Sequence, residues 1–192
     1  MTIFDRILQA QELLGKTQGH SRSPEEKELF DLAIDALWFV WREGLADEFS
    51  DYREDIQSDA PPRIVAAFNT RDEADVWLKV NPKPPNSSYV LIANDYHVVM
   101  SFRERNIRSL VRQPTLEFYL EEMIRGGLPP AVATFDTRAE ADAWFNRQTE
   151  PPAQAVIQIG GEHYLAVYYR NIHHRTVFPF SIANRLEDKE GQ

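Results

Sequence analysis

The chain contains no cysteine among its 192 residues, which excludes a disulfide framework and a thiolate metal site. It also has no run that approaches the roughly 20 apolar residues of a membrane-spanning helix. Residues 1–6 do not show the basic segment and following apolar run of a secretion signal. We therefore expect a cytoplasmic protein that folds without covalent cross-links and has no membrane partner.

Positive charge is also scarce, because 21 basic side chains face 30 acidic ones and the net charge is −9. Residues 1–60 hold 6 basic and 14 acidic side chains, so their net charge is 6 − 14 = −8. Binding to a phosphate backbone depends on clustered Lys and Arg, so this balance argues against nucleic acid as a partner. A basic protein partner would be favoured in association rate and specificity.

Signatures of catalysis and of metal binding are missing as well. The chain has neither a Gly-x-Ser-x-Gly elbow nor a His-Glu-x-x-His helix. We therefore predict no catalytic residues, no cofactor and no metal. One alternative stays open, a hydrolase or nuclease, with or without a metal, that uses His163, His173 and Arg170. A second alternative is nucleic-acid binding through the basic segment 103–112, by charge and stacking.

A duplicated phrase organises the chain. Residues 68–77 read FNTRDEADVW and residues 135–144 read FDTRAEADAW, at an offset of 135 − 68 = 67. Such a dense match indicates an internal repeat. Each copy predicts a strand, a helix that begins with a Thr-x-x-Glu capping box, and a two-stranded hairpin. The predicted hairpin turns are three residues long, at 93–95 and 160–162.

Before the repeats, the pattern predicts a helical hairpin. Its first helix is expected to end at Gly15, and its second begins at the cap Ser23-Pro24. The second helix has too many apolar positions for one stripe, so we expect it to be covered on more than one side. A shorter acidic helix over 45–56 and a helix over 115–125 complete the set.

The predicted fold class is α+β, with the N-terminal helical hairpin followed by two tandem β-α-β-β repeats. We expect these repeats to share one largely antiparallel sheet of six strands, with helices packed on it, because three strands and one helix are marginal alone. The predicted regions are a helical region at 1–57, a first repeat at 58–113, a linking helix and second repeat at 114–182, and an acidic tail at 183–192.

Alternation along the hairpin strands sorts their side chains by face. The apolar set, expected to meet the repeat helices, is Val90, Ile92, Val98, Met100, Ile157, Ile159, Leu165 and Val167. The mixed set on the other face is His97, Ser101 and Arg103 in the first copy and Gln158, Tyr164, Tyr168 and Arg170 in the second. This mixed face is either a binding surface or is covered by the N-terminal hairpin or the linking helix.

The phrase Ala-x-Phe-x-Thr-Arg-x-Glu-Ala-x-x-Trp, with the later Pro-Pro pair and the hairpin His-Tyr-Leu-Ala-Val-Tyr-Tyr-Arg, resembles a family of small bacterial proteins sometimes called "head protein". The resemblance covers most of the chain, and it supplies no established activity or catalytic residues to carry over. Acidic, duplicated proteins of this build look like immunity proteins that neutralise secreted toxins. We therefore expect a non-enzymatic protein-binding module that uses its acidic N-terminal surface or the mixed sheet face.

Overall fold

The computed structural model describes residues 1–20, 23–102, 104 and 107–186. The chain divides into two compact units, Met1–Gln57 and Ser58–Gln192. The first unit is helical, and the second contains both copies of the repeat.

Three helices build the first unit: α1 (Ile3–His20), α2 (Pro24–Arg42) and α3 (Ala46–Gln57). Ser23 caps α2, since its side chain accepts a hydrogen bond from the backbone N–H of Glu26. The expected end of the first helix at Gly15 is wrong, because α1 continues to His20. A glycine inside a helix costs only about 1 kcal/mol, which is too little to end a helix by itself.

The second unit begins with β1 (Ile64–Phe68), α4 (Arg71–Val80), β2 (Tyr89–Ile92), β3 (Asp95–Phe102), β4 (Ile107–Arg112) and α5 (Thr115–Gly126). It continues with β5 (Thr134–Phe135), α6 (Arg138–Arg147), β6 (Gln154–Ile159), β7 (Glu162–Tyr169) and β8 (His174–Pro179). Two 3-10 helices, Arg170–Ile172 and Phe180–Arg185, flank β8. The predicted tail at 183–192 thus begins within the last 3-10 helix, and residues 187–192 lie outside the described residues.

The described strands form two four-stranded sheets with the orders β1-β2-β3-β4 and β5-β6-β7-β8. The first two strands of each sheet are parallel and the remaining pairs are antiparallel. The α+β layout is confirmed, but the expectation of one shared sheet is wrong. Each copy has a fourth strand, β4 or β8, at the same offset (174 − 107 = 67). With four strands and its own helix, each copy forms a complete sheet and needs no strand from the other copy.

Both repeat helices begin with the predicted cap. The Thr70 hydroxyl accepts from the N–H of Glu73 at 3.3 Å, and the Thr137 hydroxyl accepts from the N–H of Glu140 at 3.3 Å. The Glu140 carboxylate also accepts from the N–H of Thr137, which completes a capping box. In the first copy the Glu73 carboxylate accepts from the N–H of Asn69 at 2.9 Å instead of that of Thr70, so the predicted capping box is complete only in the second copy.

Each repeat helix covers the outer face of its own sheet. Ala74 and Leu78 of α4 form one buried cluster with the strand residues Val90, Ile92, Val99 and Leu110. Ala141 and Phe145 of α6 form the equivalent cluster with Ile157, Ile159, Ala166 and Val177. The inner faces meet in a central core that contains Leu91 and Tyr96 from the first sheet and Leu165, Val167 and Phe178 from the second. The hydroxyls of Tyr96 and Tyr169 are 2.6 Å apart in this core, and burial raises the pKa of both.

The hairpin turns are one residue shorter than expected, and this changes which residues face the helices. Ile92 pairs directly with Asp95, and only Ala93 and Asn94 lie between them, both with positive φ. Gly160 and Gly161 make the equivalent turn. A shift of one residue turns every later side chain to the other face of a strand. The expectation that Val98, Met100, Leu165 and Val167 face the helices is therefore wrong, and Leu165 and Val167 lie in the central core.

Candidate functional site

Of the predicted binding residues of the first copy, His97 and Ser101 lie on the helix-covered face of their sheet. His97 is opposite Val90, a core residue under α4, and only 8% of its surface is exposed. Ser101 lies two residues beyond Val99 on the same face and is half-buried. Its backbone N–H donates to Oδ1 of Asn86 at 2.8 Å.

Two of the predicted residues of the second copy, Tyr164 and Tyr168, are placed in the same way. Tyr164 and Tyr168 pack against the core under α6. The guanidinium carbon of Arg175 lies 4.7 Å from the centre of the Tyr168 ring. Arg170 is exposed at the start of the first 3-10 helix, while Gln158 occupies the opposite face of the sheet from Tyr164 because it alternates with Ile157.

The structure does not bring these residues together into one site. Because the two sheets meet through their inner faces, the faces that carry Ser101 and Tyr168 point away from each other. Arg103, the remaining predicted residue, lies outside the described residues. The mixed face of the sequence analysis is therefore two separate surfaces, and most of each is covered by a repeat helix.

The histidines of the hydrolase alternative are used in contacts within the fold. Nε2 of His163 is 3.2 Å from Nε2 of Gln158, and Nδ1 of His173 is 3.0 Å from the Tyr168 hydroxyl. In the part of the chain that the structure describes, no group of three His, Asp or Glu side chains is placed to hold a metal ion. The hydrolase alternative stays a prediction.

The basic segment of the nucleic-acid alternative contains Arg108 and Arg112, and both are engaged by the protein itself. Nη1 of Arg108 donates to the carbonyl oxygen of Asn81 at 3.0 Å. Arg112 forms ion pairs with Asp95 and with the buried Glu117, and the hydrogen bond to Asp95 raises the pKa of Arg112. Residues 103, 105 and 106 lie outside the described residues. The arginines seen in this segment therefore hold the fold together.

An exposed apolar stripe runs along α2. Leu29 and Leu32 are each 66% exposed and Phe39 is 59% exposed. Their spacing places them on one face of the helix. No residue of α2 is buried, although the structure describes the whole helix. The expectation that α2 is covered on more than one side is therefore wrong for the chain by itself.

Carboxylates flank the Leu29 and Leu32 part of this stripe. Leu29 and Leu32 share a shallow groove of about 540 Å³ with Glu25, Glu28, Asp31 and Asp35. Over its length, α2 carries 2 basic and 5 acidic side chains, a net charge of 2 − 5 = −3. We refer to Leu29, Leu32, Phe39 and these four carboxylates as the hairpin surface. It combines apolar anchors with negative charge, which suits an amphipathic and basic partner.

The first unit has little buried core to offset this exposure. Its buried hydrophobic residues, among those the structure describes, are Ile7 and Ala46. Its exposed large apolar residues are Met1, Phe4, Leu8, Leu13, Leu29, Leu32, Trp38, Phe39, Tyr52 and Ile56. An exposed apolar patch marks a site of interaction, and Leu29, Leu32 and Phe39 form such a patch on one face of α2. The sequence signal for this exposed surface is the surplus of apolar positions in α2, which by itself predicts burial within the chain.

Within residues 1–20, 23–102, 104 and 107–186, no helix combines the length and the apolar character needed to cross a membrane. Comparisons with protein-family models, with curated proteins and with solved structures found no match to this chain. The resemblance to the "head protein" family stays a prediction.

Proposed function

We propose that the chain is a non-enzymatic protein-binding module of the cytoplasm, and that its hairpin surface binds a basic amphipathic segment of another protein. An immunity protein is the specific case in which that partner is a secreted toxin. The observation that carries the proposal is the exposure of Leu29, Leu32 and Phe39 beside four carboxylates on a helix without buried residues.

Charge and apolar contact are both needed for such binding. Full burial of a Leu or Phe side chain contributes about 1.5–3 kcal/mol. Three anchors therefore contribute about 4.5–9 kcal/mol, which is no more than the roughly 4–15 kcal/mol that association costs in lost freedom, so apolar contact alone leaves little net affinity. Opposite charges near the apolar contact increase the association rate and exclude partners of the wrong sign. A basic segment with apolar residues at helical spacing supplies both contributions.

The same charge argues against a second copy of this chain as the occupant. A symmetric dimer through the hairpin surface would bring together two regions that each carry a net charge of −8 over residues 1–60. Like charges that face each other across an interface cost several kcal/mol. A different, basic protein is therefore favoured over self-association.

Two synthetic helical peptides test the proposal: one of Leu and Lys with Leu at positions i, i+3, i+4 and i+7, and one in which Glu replaces every Lys. Fluorescence anisotropy at low salt should show binding of the Lys peptide alone. The variant Leu29→Ser/Leu32→Ser should weaken this binding by about tenfold or more, through loss of roughly 1.4 kcal/mol or more. Val132→Ser, which removes a side chain that is also 66% exposed, should leave it unchanged.

Reversing charge provides the second arm of this test. Glu28→Lys/Asp35→Lys should slow association of the Lys peptide and reduce its dependence on salt. Equal binding of the two peptides would contradict the proposal, as would unchanged affinity in the Leu29→Ser/Leu32→Ser variant. If the natural chain dimerised and the Leu29→Ser/Leu32→Ser variant did not, the hairpin surface would be an interface for self-association.

A further inference from the structure

Among the equivalent positions at which the two copies of the repeat differ are Ser101 and Tyr168 (168 − 101 = 67). In the first sheet Ser101 pairs directly with Arg108 across β3 and β4. In the second sheet Tyr168 pairs directly with Arg175 across β7 and β8. The arginine is thus retained in both copies, while its cross-strand neighbour changes from small to aromatic.

Both arginines hold the end of a repeat helix. Arg108 donates to the carbonyl oxygen of Asn81 at 3.0 Å, and Arg175 donates to that of Gln148 at 3.0 Å. Asn81 and Gln148 are the C-caps of α4 and α6 and are themselves equivalent (148 − 81 = 67). Cationic groups at this end satisfy the last carbonyls of the helix. The two guanidinium groups therefore occupy matching places in their copies.

The space beside the guanidinium is filled in one copy and open in the other. The Tyr168 ring lies beneath Arg175, with 4.7 Å between the guanidinium carbon and the ring centre, as in a cation–π contact. Ser101 has no ring, and beside it lies a cleft of about 450 Å³. The lining residues of this cleft are Pro82, Lys83, Pro84, Asn86, Ser101, Phe102, Ile107 and Arg108.

We propose that this cleft binds a tyrosine side chain from a partner protein, in a segment with carboxylates next to the tyrosine. The ring lies against Arg108 as the Tyr168 ring lies against Arg175, so the chain itself displays the occupant in its second copy. An Arg guanidinium stacks well on an aromatic face, which favours a planar occupant.

Charge indicates what surrounds that tyrosine. The eight described lining residues include two cations, Lys83 and Arg108, and no acid. In the second copy the position of Lys83 is taken by Glu150 (150 − 83 = 67), where the ring is supplied internally and no acidic ligand is needed. The cleft therefore favours acidic neighbours of the tyrosine. It lies within Ser58–Gln192, is formed without any residue of the hairpin surface, and does not depend on the function proposed for that surface.

NMR titration of the full chain with the pentapeptide Glu-Glu-Tyr-Glu-Glu tests the inference, with Glu-Glu-Ala-Glu-Glu as the matched control. We expect saturable shifts of the amide signals of Lys83, Ser101 and Arg108 with the tyrosine peptide. The alanine peptide should bind about tenfold or more weakly. Equal binding of both peptides, or shifts confined to other residues, would overturn the inference.

Exchanging the residues that differ between the copies makes the test reciprocal. Ser101→Tyr should fill the cleft and weaken peptide binding by about tenfold or more. Tyr168→Ser/Glu150→Lys should create a second site of the same kind. Lys83→Ala removes an exposed cation and should also weaken binding; it decides the matter should Ser101→Tyr fail to fold. The inference would be refuted if Lys83→Ala bound the tyrosine peptide with unchanged affinity and Ser101→Tyr either did the same or did not fold.

Discussion

At the scale of single residues, His174 is one group whose protonation is coupled to folding. Its ring stacks on Tyr169, with the ring centres 6.2 Å apart and the planes 23° apart. The residue is half-buried, and burial lowers the pKa of His174 from its ordinary value of 6.5, because a charged imidazolium loses its hydration there.

This lowered pKa predicts a loss of stability in acid. The unfolded chain takes up the proton at a higher pH than the folded chain does. The contribution of His174 to stability is therefore complete above its unfolded pKa of about 6.5 and is lost as the pH falls through the folded pKa. His174→Phe keeps a ring on Tyr169 and removes the titration. Urea unfolding at about pH 8 and pH 5 should show a smaller drop in unfolding free energy for the variant, and an equal drop would contradict the prediction.

At the scale of elements, the caps of α4 and α6 give a prediction that depends on one hydroxyl. Thr137→Ala removes the acceptor for the N–H of Glu140 and should lower the free energy of unfolding by about 1 kcal/mol. Thr137→Ser keeps the hydroxyl and should stay within about 0.5 kcal/mol of the natural protein. Chemical denaturation measures both. A serine variant as unstable as the alanine variant would show that the side-chain bond is not the cause.

Local signals made this part of the fold predictable from the sequence. A capping box involves residues only three apart, so its outcome depends little on the rest of the chain. The faces of the hairpins were not predictable in the same way. They depend on whether a turn holds two residues or three, and the Ala93-Asn94 turn is the shorter of the two. The fourth strands were missed because β4 and β8 share only one identical residue, Arg108 with Arg175.

The candidate sites were also predictable to different degrees, because some of their features are local in sequence and others form only on tertiary packing. The contrast between Ser101 and Tyr168 is visible in the repeat alignment alone. The role of Arg108 is not, because its bond to the carbonyl of Asn81 spans 27 residues and forms only once the sheet and helix have packed. The surplus of apolar positions in α2 was visible too, but a sequence does not distinguish a surface covered by its own chain from one left open to a partner.

At the scale of the whole molecule, the hydrophobic core is divided unequally. Of the 27 hydrophobic residues that are buried in the described chain, Ile7 and Ala46 belong to Met1–Gln57 and the other 25 belong to Ser58–Gln192. Stability within a protein follows such differences, since regions with few buried apolar contacts open at lower free energy than the core strands do. We therefore expect a bound partner to raise the free energy of local opening most in the helical unit.

Native-state hydrogen exchange of the full chain measures this difference. Amides of α2 should exchange through an opening of lower free energy than those of β3 and β7, because no α2 residue is buried while both strands carry core residues. The Leu and Lys peptide should slow exchange in α2 and leave exchange in β7 unchanged. Binding to the folded hairpin surface raises the free energy only of those opening reactions in which the peptide must dissociate. The peptide of Leu and Glu is the control. Equal protection of α2 and β7 without any peptide would mean that the helical unit is already stabilised by its own chain, and it would remove the physical reason for a partner.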